Sequence, residues 1–89
     1  MMQPQLIEVP RERVLPALCG TRGACAAAGP VRERVLRGAR VLVETARAME
    51  PERAERWARV LRWLERQTLA EWWLSVRDWS ALRVLEAGE

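Results

Sequence analysis

Apolar residues recur every three or four positions from residue 30 onward, the spacing typical of helices that bury one face. Pro30 suits the first turn of a helix, where its missing N–H is not needed. The pattern predicts a helix over residues 30–49, in which Leu36 and Val43 widen the edge of the apolar stripe. The stripe itself consists of Val31, Val35, Ala39, Leu42, Ala46 and Met49.

A second helix is predicted over residues 51–67. Pro51 is again a good first-turn residue, and glutamates lie near the positive end of the helix dipole. Trp63 falls off the stripe, so we expect its side chain to lie against another part of the protein. The apolar stripe of this helix consists of Ala54, Trp57, Val60, Leu61 and Leu64.

A third helix is predicted over residues 69–86. Thr68 and Glu71 have the spacing of a capping box, which favours a break in the chain before Leu69. On a helical wheel, this segment is apolar over more than half of its circumference, because a sector centred on Trp72 is followed by a second one around Leu74. A helix of this kind has to be nearly surrounded by other apolar surface.

Three tryptophans occur within "EWWLSVRDW", residues 71–79, although the chain has no Phe and no Tyr. Burying one tryptophan removes roughly 150–250 Å² of surface from water, and tryptophan is enriched at the centres of interfaces. We therefore expect one sector to pack inside the subunit and the other to form a two-fold homodimer. The alternative is that all five tryptophans form the core of one subunit. The expected interface residues are Trp63, Leu69, Trp72, Trp73, Val76, Trp79 and Leu82.

The first third of the chain, residues 1–29, has no clear periodicity. Gly20 and Gly23 favour a turn or loop there. The sequence thus predicts an all-α fold, with residues 1–89 as a single small helical domain that has an irregular N-terminal arm and forms a helical-bundle dimer. A domain of this size is marginally stable alone and often gains stability by association.

Positive charge is concentrated in the first half of the chain. Residues 1–48 hold eight arginines against four glutamates, whereas residues 49–89 hold seven arginines against eight acidic residues. If the N-terminal arm folds near the start of the first long helix, these arginines form a basic patch for phosphates. The alternative function is therefore a dimeric nucleic-acid-binding regulator, and ordinary solvated surface is the competing interpretation. The candidate residues are Arg11, Arg13, Arg22, Arg32 and Arg34.

Candidate chemistry is scarce. The chain has no His and no Tyr, so neither serine can be activated by a histidine, and a serine or cysteine hydrolase is nearly excluded. Cys19 and Cys25 are the only cysteines, and their spacing is too loose for an ordinary zinc pair. A second alternative function is a metal or redox sensor at these two cysteines, with a metal shared by two subunits. The competing interpretation is that both thiols are inert. We predict no cofactor and no enzymatic activity.

The expected function is that of a small protein–protein interaction module or regulatory subunit that acts as a homo-oligomer. Its partner is expected to be a second copy, with another protein or a nucleic acid as further candidates. No apolar run has the length of a membrane span or a signal peptide. Two cysteines without other secretory features favour a reducing cytoplasm.

Overall fold

The computed structural model of the protein describes residues 15–89, which contain four helices and no strands. They are α1 (Arg22–Met49), α2 (Pro51–Arg66), α3 (Ala70–Ser75) and α4 (Ala81–Gly88). The predicted all-α fold is confirmed. None of these four helices combines the length and the apolar character that a bilayer crossing requires.

Helix α1 begins at Arg22, not at the predicted Pro30, so residues 22–29 are helical and not part of an irregular arm. The side chain of Thr21 caps the helix, because its hydroxyl oxygen accepts a hydrogen bond from the backbone N–H of Ala24 at 3.1 Å. The alanines that follow favour helix. Pro30 therefore lies inside α1, where its ring removes the usual donor to the carbonyl of Ala26, a residue exposed to water.

Removal of this cap is expected to destabilise the protein measurably. Thr21→Ala should lower the free energy of unfolding by about 1 kcal/mol, because one amide of the first turn loses its acceptor. The shift is measured as the midpoint of urea denaturation. Thr45→Ala is the matched control, since Thr45 is exposed in the interior of α1 and alanine is the better helix former there. Equal losses in the two variants would contradict the capping role.

The predicted second helix is confirmed over Pro51–Arg66, with Pro51 in its first turn. The chain then becomes extended and pairs with the segment before α1. The N–H of Cys19 donates to the carbonyl of Thr68 at 2.7 Å, and the N–H of Ala70 donates to the carbonyl of Cys19 at 2.9 Å. The predicted break between the second and third helices is thus present, but the predicted capping box of Thr68 and Glu71 does not form. Leu69, and not Thr68, holds the N-cap position, and no side chain accepts a capping hydrogen bond there.

The predicted third helix is two helices, because a turn over residues 76–80 separates α3 from α4. Ser80 caps α4 through a hydrogen bond from the N–H of Arg83 at 3.1 Å. The guanidinium group of Arg34, on α1, donates to the carbonyl oxygens of Arg77 at 2.8 Å and Trp79 at 3.0 Å. These bonds satisfy carbonyls that a continuous helix would have used internally.

Helix α1 is central and packs against the other three helices, and α2 also packs against α4. The predicted apolar stripes of α1 and α2, together with their edges, supply most of the core. Three stripe residues, Val31, Leu42 and Leu61, are only half-buried, and Met49 is 75% exposed at the last position of α1. The buried apolar residues are Ala28, Val35, Leu36, Ala39, Val43, Ala46, Ala54, Trp57, Val60, Leu64, Ala70, Trp73, Val76, Val84 and Leu85.

Candidate interaction groove

An open groove of about 800 Å³ lies where α2, α3 and α4 meet, and we call it the tryptophan groove. No residue of α1 lines it. Most of its wall is apolar, and the polar side chains are two arginines, one serine and one glutamate. The lining residues are Arg56, Arg59, Val60, Trp63, Leu64, Trp72, Ser75, Val76, Trp79, Val84, Ala87, Gly88 and Glu89.

Three of the five tryptophans form walls of this groove: Trp63, Trp72 and Trp79. The rings of Trp63 and Trp72 meet edge to face with their centroids 5.2 Å apart, and Trp72 meets Trp73 in the same way at 5.0 Å. Such contacts stabilise by about 0.5–1.5 kcal/mol beyond the area they bury. The expectation that Trp63 lies against another element is confirmed, yet its side chain remains 46% exposed.

Trp79 owes its position to the turn between α3 and α4. The carbonyl of this residue accepts a hydrogen bond from Arg34. The guanidinium group of Arg83 lies 4.0 Å from the centroid of the Trp79 ring, in a cation–π contact. Arg34 on α1 and Arg83 on α4 therefore both contact Trp79, which forms the third aromatic wall of the groove.

The expected interface residues do not all reach the surface. Trp73 is fully buried inside the single chain, with 0% of its surface exposed, and its indole N–H donates to the carbonyl of Gln67 at 3.0 Å. Val76 is also buried, although it lines the floor of the groove. Leu69 and Leu82 are exposed but lie outside the groove lining. Four of the seven expected interface residues therefore line the groove: Trp63, Trp72, Val76 and Trp79.

Val60, Val84 and the two arginines of the groove wall were not among the expected site residues. Val60 is on the predicted stripe of α2, where the sequence indicates only a core position. Val84 lines the groove from α4, the helix that begins after the turn. The sequence signal for that turn is Ser80, a good N-cap residue directly before the apolar run "ALRVL".

One end of the groove carries charge. The carboxylate of Glu89 lies 3.3 Å from the guanidinium Nε of Arg56, so α4 and α2 are joined there by an ion pair. The pKa of Glu89 is lowered, chiefly by the indole N–H of Trp57 and then by Arg56. The Trp57 nitrogen is buried and has no partner of full hydrogen-bond geometry within residues 15–89, so its N–H acts on the Glu89 carboxylate without a fully formed hydrogen bond. Arg59 forms no ion pair with any residue of that range.

The arginines proposed for nucleic acid do not form one patch in the described part of the chain. Arg32 and Arg34 are two positions apart on α1 and so point about 160° away from each other. Each is used internally: Arg32 donates to the carbonyl of Pro16 at 2.7 Å, and Arg34 holds the turn before α4. Arg22 is exposed in the first turn of α1. Arg11 and Arg13 lie outside the described residues.

Both cysteines are free thiols. Cys19 contributes its backbone to the pairing with the α2–α3 connection, and the thiol of Cys25 donates to the carbonyl of Leu18 at 3.6 Å. Within residues 15–89, no three His, Cys, Asp or Glu side chains are grouped so that they could hold a metal ion. The metal or redox role of Cys19 and Cys25 stays a prediction, because a site shared by two subunits is not contained in a single chain.

Comparison of the chain with models of known protein families, with curated proteins and with solved structures finds no match.

Proposed function

We propose that the protein is a small non-enzymatic interaction module that forms a homodimer through the tryptophan groove. The observation that carries this proposal is Trp63, which stands 46% exposed at a groove walled by two further tryptophans. No helix of the described chain covers this aromatic surface. Large apolar patches of this kind on small proteins mark interaction sites.

We propose a second copy of the chain as the occupant of the groove. In a two-fold dimer the same patch is used by both subunits, so each Trp63 would face the groove of its partner. Tryptophans at the centre of an interface commonly contribute about 2 kcal/mol or more to binding. Association would also supplement the small core of a domain of this size. The centre of the proposed interface is Trp63, Trp72 and Trp79, with Leu69 and Leu82 outside it.

The side chains in the groove favour binding over catalysis. Ser75 is the only hydroxyl in its lining, and that hydroxyl donates to the carbonyl of Trp72 at 2.5 Å, within the same helix. The chain has no histidine that could activate it. Two free thiols fit the reducing environment of the cytoplasm, which we propose as the location.

The test is the effect of a charge at the centre of the proposed interface. Trp63→Arg should raise the dimer dissociation constant at least about thirtyfold, because an arginine there would be desolvated without a partner. Sedimentation equilibrium over a series of protein concentrations measures the constant. Trp63 is half-exposed in the subunit, so circular dichroism is expected to show the same helix content in the variant.

Val41→Arg is the matched control. Val41 is an exposed apolar residue on α1 that does not line the tryptophan groove, so its replacement should leave the dimer unchanged. A chain that remains monomeric at all accessible concentrations would refute the proposal. Equal weakening by the two substitutions would show that the interface lies elsewhere.

A further inference from the structure

We infer that the tryptophan groove also binds a small amphipathic carboxylate, with its apolar chain between the tryptophans and its carboxylate at Arg59. This inference deepens the proposed function, since the ligand would occupy the surface that a second copy covers. Binding to a single subunit does not itself depend on dimer formation.

The apolar part of the groove has the size and the lining of a small-molecule site. Its volume of about 800 Å³ lies within the roughly 300–1,000 Å³ that such sites occupy. Trp63, Trp72 and Trp79 provide flat walls, and Val76 and Val84 form an apolar floor. An alkyl or aryl chain placed there would be removed from water on several sides.

The charged side chains at one end of the groove determine which sign of charge the ligand should carry. Arg56 is already paired with Glu89, at 3.3 Å, whereas Arg59 has no ionic partner within residues 15–89. A guanidinium group binds a planar carboxylate through two parallel hydrogen bonds. Glu89 also lines the groove and would repel a doubly charged group more strongly than a singly charged one. A monocarboxylate therefore fits better than a phosphate.

A ligand in the groove would compete with the second subunit. The same three tryptophan rings cannot contact both an alkyl chain and the rings of a partner. Ligand binding to the monomer would then raise the apparent dissociation constant of the dimer by mass action. This consequence, unlike the binding itself, rests on the proposed function.

The test uses three soluble probes with the same chain: octanoate, octanol and octylammonium. Titration is followed by the indole N–H signals in two-dimensional NMR, assigned with single Trp→Phe variants. Octanoate should bind most tightly and octylammonium least. The signals of Trp63, Trp72 and Trp79 should shift more than those of Trp57 and Trp73, which do not line the groove.

Charge variants test the carboxylate position. Arg59→Gln should weaken octanoate binding about tenfold, the loss expected for one charge-assisted contact, and leave octanol binding unchanged. Arg62→Gln is the matched control, because Arg62 is exposed on the same helix and does not line the groove. Glu89→Gln should strengthen octanoate binding, since it releases Arg56 for the ligand.

Several results would overturn the inference: no binding of octanoate, equal binding of octanoate and octanol, or equal effects of Arg59→Gln and Arg62→Gln. Different results would refute the proposed homodimer. A chain that binds octanoate but never dimerises would support the inference and refute the homodimer. A chain that dimerises through Trp63 but does not bind octanoate would refute the inference alone.

Discussion

Replacement of Trp73 by alanine is expected to lower the free energy of unfolding by about 3–5 kcal/mol, the usual range for removing a large aromatic side chain from a core. Trp73 is the largest fully buried side chain in the described part of the protein. Its indole N–H donates to the carbonyl of Gln67, in the connection between α2 and α3. The substitution would therefore leave a cavity and an unpaired carbonyl in the same place.

Chemical denaturation monitored by circular dichroism measures this loss, and the urea midpoint should fall strongly. Trp63→Ala is the matched control, because it removes the same side chain from a half-exposed position. In dilute solution, where a single subunit is observed, its cost should be about 1–2 kcal/mol, because the buried half of the side chain and its contact with Trp72 are lost. Similar losses for the two variants would mean that Trp73 is not the centre of the core.

The positions of these two tryptophans show how far sequence periodicity can be used. The stripes of α1 and α2 are local patterns within long helices, so they predicted most of the buried residues there. Trp72 and Trp73 are adjacent, and both lie in a segment that is apolar on most sides. Such a pattern does not determine which of the two faces the core, because that depends on where α1 lies.

The turn between α3 and α4 depends on residues distant in the sequence. Arg34 stabilises it from α1 through the carbonyls of Arg77 and Trp79, which follow more than forty positions later. Within residues 69–86 alone, continuous apolar periodicity favours one helix. Only Ser80 gives a local signal for a new helix start, and it competes with that periodicity.

The start of α1 was mispredicted for a local reason. Proline is far more common in the first turn of a helix than in its interior, so the sequence favours Pro30 as the start. In the structure, the Thr21 cap and the alanine-rich segment that follows it outweigh the one hydrogen bond lost at Pro30. The sequence contains both signals, and their balance depends on packing that includes the buried Ala28.

The candidate site was predicted in part. The off-stripe position of Trp63 indicated a side chain on the edge of the core, and the structure places it on the groove wall. Arg59 and Val84 were missed because the groove exists only where α2 and α4 come together. An amphipathic pattern shows which face of each helix is apolar, but not which two faces leave a gap between them.

The contact of α1 with α4 depends on the absence of a side chain at Gly38. A Cβ atom at this position would lie 2.8 Å from the Cβ of Ala81, at the first position of α4. Carbon atoms pack at about 3.5–4.0 Å, so α4 would have to move away from α1. Because Val84 on α4 lines the tryptophan groove, this movement would also alter the groove.

Gly38→Leu is therefore expected to lower the free energy of unfolding by about 2–3 kcal/mol, at the upper end of the usual cost of overpacking. The higher helix propensity of leucine, worth somewhat less than 1 kcal/mol over glycine, offsets only part of this strain. Gly23→Leu is the matched control, because a Cβ at Gly23 meets no atom within 4 Å. That variant should be neutral or slightly stabilised in urea denaturation. If Gly38→Leu were as stable as Gly23→Leu, α4 would not be packed against α1 at this point.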